Sequence, residues 1–235
     1  MPSLRSTIAV YLLLVIGITF ATAAKSEELR IINLPEEDVI LLTGDFIEGT
    51  AQRLNDILVA NPRITKVGMV SGGGLAYEGF NVADVLSNHD VTAVVPRGYV
   101  CLSACAIGFI GAKDYVILGA LGFHNMYVTD ENMVDIDKLM LLIRGQQFGV
   151  RTAIFFIQNG FEIELPYIIS AVTTPEEFIV FTSTEDLMTF FARNEEDNII
   201  NYLDNNDIDD AWIEEHLWDS ERFRLFMQGG DNNAP

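Results

Sequence analysis

Basic residues are scarce in this chain: 14 Lys and Arg face 34 Asp and Glu, a formal net charge of −20 over 235 residues. Nucleic acid and anionic lipid surfaces both need a basic face, so neither is expected as a partner. Cysteine is almost absent, with only Cys101 and Cys105 present. With no third thiol and no histidine close to them in sequence, they make no tetrahedral metal set, and no metal is expected. Low-complexity tracts and internal repeats are also missing. Beyond the first 24 residues no apolar run of membrane length is free of charges or breakers, so the mature part is expected to have no membrane partner.

What is present is a chain 49% hydrophobic and 20% charged, enough for one sizeable domain with extensions. Residues 1–24 carry Arg5, an apolar run from Ile8 to Phe20 and the small-x-small sequence Ala21-Thr22-Ala23. This is the pattern of a secretory signal with its cleavage site, giving a periplasmic or secreted product. The run is also nearly long enough to span a bilayer, so an uncleaved anchor is the other reading. The expected organisation is a signal peptide over 1–24, a main domain over 25–192 and an acidic helical extension over 193–235.

Strand-like and helix-like stretches alternate through the main domain. Leu29 to Leu34, Val39 to Thr43 and Ile64 to Val70 read as strands; Ile47 to Ala60 and Ala76 to Asn88 have helical spacing, the first stopped by Asn61-Pro62. Val91–Val95, Leu102–Ile110 and Tyr115–Leu118 continue the pattern. Repeated units of this length predict an α/β fold with a largely parallel sheet. Ile136 to Asn159 is predicted as a long helix, broken or kinked near Gly145 and Gly149.

Three stretches carry the chemistry. Val91–Val95 runs through a Pro-Arg-Gly turn toward Cys101-Leu-Ser103-Ala-Cys105, which opens a helix and puts Ser103 in its first turn. Unpaired N–H groups and the helix dipole favour a developing negative charge there. An isolated serine at that place is equally an N-cap. Upstream, Val67-Gly-Met-Val-Ser71 ends a strand in Gly72, Gly73 and Gly74, whose backbone N–H groups could face an oxyanion. Downstream, the run from Tyr115 ends at His124, so a donor loop, a helix-borne serine and a histidine each sit at a strand end. Cys101 and Cys105 flank Ser103 four residues apart. In an exported chain they are either a disulfide fixing this turn or two buried thiols beneath the helix.

This order of motifs resembles the Clp protease/crotonase superfamily over roughly Asp38 to Phe190. It is most like secreted, periplasmic ClpP-like serine peptidase homologues with a Cys-x-Ser-Ala-Cys segment. The resemblance implies a spiral of β-β-α units, with Ser103 as nucleophile and His124 as general base. Gly73, Gly74, Leu75 and Ala104 would be the oxyanion donors, with Gly72 standing where the family has proline. The third triad acid would fall on Glu177 or its neighbour Phe178; Glu177 is the choice, and Asp130 and Asp135 are the other carboxylates near the histidine in sequence. The implied substrate is a peptide or protein, with no cofactor, and the helix after His124 would pack against a second subunit in a homo-oligomer, although a place in the domain's own core explains its apolar residues equally.

From Asn194 to Glu221 there are 11 acidic residues and no Lys or Arg, with Ile199, Leu203, Trp212 and Trp218 as apolar anchors. One or two amphipathic helices are expected. His89 and His216 are expected to be structural or solvated. Two other functions compete with the hydrolase. One is a catalytically inactive ClpP-like binding module. The other is a crotonase-type acyl-CoA enzyme, disfavoured by export and by the lack of a basic cluster for the CoA phosphates.

Overall fold

The computed structural model describes residues 29–34, 38–125, 138–159, 172–192 and 210–228, with 166, 169 and 170. The expected signal segment, Asp130, Asp135 and residues 193–209 lie outside them. The elements in order are β1 (Arg30–Leu34), β2 (Val39–Thr43), α1 (Thr50–Ala60), β3 (Lys66–Val70), α2 (Ala76–Asn88), β4 (Thr92–Val95), β5 (Val100–Leu102) and α3 (Ala104–Phe109). There follow β6 (Asp114–Ile117), β7 (Ala120–Phe123), α4 (Lys138–Gln158), β8 (Phe178–Phe181), α5 (Thr184–Ala192), α6 (Asp210–His216), β9 (Leu217–Trp218) and α7 (Ser220–Met227).

Two sheets share these strands. The larger runs β1-β2-β3-β4-β6, parallel throughout except for the antiparallel β1–β2 pair. The smaller runs β5-β7-β8-β9; β5 and β7 are parallel, whereas β8 and β9 join antiparallel. The chain visits both sheets on each circuit: β4 then β5, β6 then β7. The bridges Phe46–Gly74 and Ser71–Cys101 continue the same alternation upstream of β5. With a helix closing most circuits, this is the α/β winding of β-β-α units that the sequence predicts.

The run from Tyr115 to His124 is two strands, not one. Leu118 and Gly119 both donate to the Val95 carbonyl, at 2.9 and 3.1 Å, and Ala120 donates to Tyr99. That bend carries the chain from one sheet to the other and delivers His124 to the smaller one. The stretch read as a helix from Leu102 likewise begins with a strand, β5, and the helix proper starts at Ala104. Helix α4 runs unbroken from Lys138 to Gln158, so Gly145 and Gly149 do not interrupt it. A helix-interior glycine costs about 1 kcal/mol, too little to end a helix held by packing. Phe155 and Phe156 supply that packing, both buried.

The core lies between the sheets and helices. Phe46, Leu54, Met69, Leu86, Phe109 and Leu121 are fully enclosed, each contributing roughly 1.5–3 kcal/mol by removal from water. Among the described residues, no helix is long and apolar enough to cross a membrane.

Helices α2 and α3 meet through small residues. A Cβ on Gly79 would lie 2.5 Å from the Ala104 carbonyl oxygen, and one on Gly111 would lie 2.3 Å from the Ala83 Cβ. This close approach sets the position of α3 and hence of the residue that precedes it.

The segment 210–228 contains more than the expected helices, because β9 adds a strand to the smaller sheet. His216 is buried beside it, with Nε2 3.0 Å from Asp186 Oδ1, Nδ1 2.9 Å from the Trp212 carbonyl, and its ring stacked on Trp212. Both partners are acceptors, so both ring nitrogens carry protons and the imidazole is charged. Burial alone would push its pKa down, but the Asp186 carboxylate, the Trp212 carbonyl and the charge of Glu215 outweigh it and hold the value above the ordinary one.

Two outcomes follow for stability. Gly79→Ala is expected to lose about 1–3 kcal/mol in urea denaturation, as overpacking does; an unchanged midpoint would mean that α2 and α3 have room to spare. The His216–Asp186 tie contributes fully below the unfolded imidazole value of about 6.5 and is lost as pH rises through the higher folded value. Asp186→Asn should therefore flatten the pH dependence of Tm above that point, and an unaltered profile would remove the tie from the account.

Candidate active site

Strand β5 and helix α3 are joined by a single residue, Ser103, with φ 57° and ψ −123°. A non-glycine residue in such a conformation costs roughly 1–3 kcal/mol and persists only where its surroundings hold it. They do so from three sides. The Ser103 N–H donates to the Gly122 carbonyl at 2.9 Å, its own carbonyl accepts from Ile107 at 3.1 Å, and Cys101 and Cys105 on either side are joined by a disulfide. Both sulfurs belong to residues that are completely buried.

Ser103 is the residue preceding α3 and not, as the sequence suggested, within its first turn, yet its side chain makes no capping hydrogen bond. The hydroxyl instead lies 2.7 Å from His124 Nε2. The capping reading and the nucleophile reading thus part on geometry: the turn lifts Oγ away from the helix end and toward an imidazole.

His124 follows β7 directly. Its Nδ1 is 3.0 Å from the Pro175 carbonyl, an acceptor, so Nδ1 carries the proton and Nε2 offers a lone pair to the Ser103 hydroxyl. Burial pushes the imidazole pKa below its ordinary value, against a smaller opposite pull from the Pro175 carbonyl. The ring is therefore neutral at pH 7 and able to accept a proton. Phe178 stacks on it, with centroids 4.4 Å apart and planes 28° from parallel.

The turn that supplies Pro175 is tied down locally. The Asn125 N–H donates to Thr173 Oγ1 at 2.8 Å, and the Thr173 hydroxyl donates to the Ile169 carbonyl. Glu177, the residue chosen for the third acid, has its Oε2 3.3 Å from the Thr174 N–H, inside this turn. The neighbouring position, Phe178, is the one that meets the histidine ring.

The glycine loop packs directly on the serine. A Cβ on Gly73 would be 2.6 Å from the Ser103 Cβ and 3.1 Å from its Oγ, so only glycine fits there. Of the four expected oxyanion donors, two are committed within the protein: the Gly73 N–H donates to Ser71 Oγ at 3.0 Å and the Leu75 N–H to the Phe46 carbonyl at 2.8 Å. The N–H groups of Gly74 and Ala104 take part in no hydrogen bond among the described residues. No set of His, Cys, Asp and Glu able to hold a metal occurs among the described residues.

The structure brings together Ser103, His124 and the glycine loop that the sequence singled out, and adds Pro175, whose contribution is a main-chain carbonyl that any residue could supply. It also adds the aromatic partner of the histidine. A phenylalanine at the start of an apolar strand carries no local sign of what lies across the sheet.

No protein-family model and no curated protein sequence matches this chain. Solved structures do. ClpP1 from Listeria monocytogenes aligns at 13% identity with a TM-score of 0.49, covering 67% of this chain and 89% of that one. A point mutant of the same enzyme gives 13% identity and 0.46, covering 67% and 90%. A mutant of the 1510-N membrane-bound stomatin-specific protease gives 13% and 0.47, covering 64% and 74%.

The protonation state is open to direct measurement. In NMR of histidine-labelled protein, the His124 imidazole should titrate below about 6.5 and show the Nδ1–H tautomer above its midpoint. Since the neutral ring is the base, its proton-accepting capacity is lost only as pH falls through that lowered value. A midpoint above about 6.5 would contradict the lowering of this imidazole by burial.

Proposed function

We propose that this chain is a ClpP-like serine hydrolase acting on peptides or proteins outside the cytoplasm. The observation that carries this reading is the 2.7 Å contact between Ser103 Oγ and a neutral His124 Nε2, made by a serine that leaves its helix end uncapped. His124 takes the hydroxyl proton as Oγ attacks a carbonyl carbon. The N–H groups of Gly74 and Ala104 meet the oxyanion, and the proton on Nε2 then passes to the departing amine or alcohol. The acyl group left on Oγ is released as a carboxylic acid when water attacks, His124 taking a proton from the water and returning it to Oγ as the acyl–oxygen bond breaks. The Pro175 carbonyl keeps the tautomer that this cycle requires.

Export rests on the signal-like residues 1–24 and agrees with a disulfide between Cys101 and Cys105, which persists in an oxidising compartment. A homo-oligomer belongs to the same reading: Val150, Ile154 and Ile157 lie at helical spacing on α4 and are 60%, 50% and 52% exposed. A second reading, a ClpP-like binding protein without turnover, is favoured by one observation. The Gly73 and Leu75 N–H groups are already spent on Ser71 and Phe46, which leaves two donors of the four.

Fluorophosphonate labelling separates the two. The wild type should be labelled at one site, Ser103→Ala should abolish the label, and His124→Ala should slow it by about 10²–10⁴-fold, the usual weight of a general base. A wild type that stays unlabelled with its disulfide intact would favour the binding protein.

A further inference from the structure

The residues of segment 210–228 reach the site through one aromatic ring. Phe178 opens β8 three residues after Pro175, and its backbone is registered opposite Trp218 of β9. On one side its ring stacks on His124 at 4.4 Å; Phe223 of α7 meets it at 90° with centroids 5.3 Å apart. Trp218 holds Phe223 in turn at 5.2 Å, and Arg222 covers Trp218 at 5.1 Å. Ala120, Val180 and Trp218 form the buried centre of this cluster, separate from the main core, with Phe178, Phe223 and Phe226 packed around it.

We propose that Phe178, clamped by Phe223 of the C-terminal segment, is a positioning residue that holds the His124 ring in line with Ser103. The proposal rests on the hydrolase reading for its purpose and on the ring geometry for its evidence. The contacts of Nδ1 with Pro175 and of Nε2 with Ser103 fix the tautomer, while the terminal torsion of histidine is intrinsically broad and allows a range of ring angles. An aromatic face laid against the imidazole removes this freedom, because turning the ring would break the stack. Phe178 performs this service only while its own ring is held, and the perpendicular ring of Phe223 holds it. The Phe178 ring also covers one face of the imidazole, consistent with the part burial plays in its titration. The charged side chains of the flanking elements, Glu176 and Glu177 on the turn and Asp219, Glu221, Arg222 and Arg224 around α7, stay in place when Phe223 alone is changed.

The test uses the full chain with Phe223→Ala, Phe223→Tyr, Phe178→Leu and, as a control, Leu225→Ala, which removes an exposed side chain of the same helix. Helix α7 buries no side chain completely, so Phe223→Ala should keep the fold, which circular dichroism checks. Two readings are taken: NMR titration of His124 and the fluorophosphonate labelling rate. Phe223→Ala and Phe178→Leu should both move the His124 midpoint up toward about 6.5. They should also slow labelling by about 2- to 10-fold, the range an aromatic pair supports. Phe223→Tyr should restore both readings and Leu225→Ala should change neither. A His124 midpoint and labelling rate unmoved in folded Phe223→Ala would overturn the proposal, as would failure of the tyrosine to rescue. If the wild type is not labelled at all, the hydrolase reading falls, and the titration still decides whether the clamp acts on the ring.

Discussion

The backbone conformation of Ser103 is the constraint on which the site depends. A serine in an ordinary conformation at this junction would turn its hydroxyl to the uncapped N–H groups of α3 and serve the helix. With φ at 57° it faces His124 instead. Holding that conformation requires the parallel pairing of β5 with β7, the disulfide across the junction, and an α3 that is seated closely on α2. Close packing around the junction also depends on the absence of side chains: Gly73 lies against Ser103, and Gly79 and Gly111 let the α2 and α3 segments approach at Ala104 and Ala83. The glycines and alanines around the serine therefore form a mould as specific as the bulky core beneath it.

The disulfide closes a very short loop, and a cross-link of that span removes little freedom from the unfolded chain compared with one joining distant segments. Its effect is accordingly local. It ties the last strand residues before the serine to the first helix turn after it, at the place where a strained residue would otherwise relax.

The sequence was legible where a local pattern had a local cause. Strand β2 and helix α2 begin and end where the apolar spacing places them, and Ser103, His124 and the glycine loop were recognisable from their order along the chain. Legibility failed at junctions. The split between β6 and β7 is made by hydrogen bonds from Leu118 and Gly119 to Val95, some twenty residues away in sequence. The partner of His124 Nδ1 is a main-chain carbonyl, invisible in any residue type. The acidic stretch near Trp218 read as helix because its apolar residues have helical spacing, yet Leu217 and Trp218 pair with β8. A two-residue strand has no periodicity of its own; its partner creates it. His216, expected to be structural or solvated, is buried against Asp186 and Trp212, a cation enclosed in a strongly acidic chain.

The antiparallel half of the smaller sheet also has a consequence in time. Ser103 and His124 are only 21 residues apart and directly follow two strands, β5 and β7, that pair in parallel. The register of Leu121 with Phe181, and then of Phe178 with Trp218, joins segments separated by far longer stretches, and such distant pairings are the slow steps of folding. A chain emerging from its N-terminal end thus carries Ser103 and His124 well before the turn at Pro175, which meets His124, and the strand at Trp218 have been made.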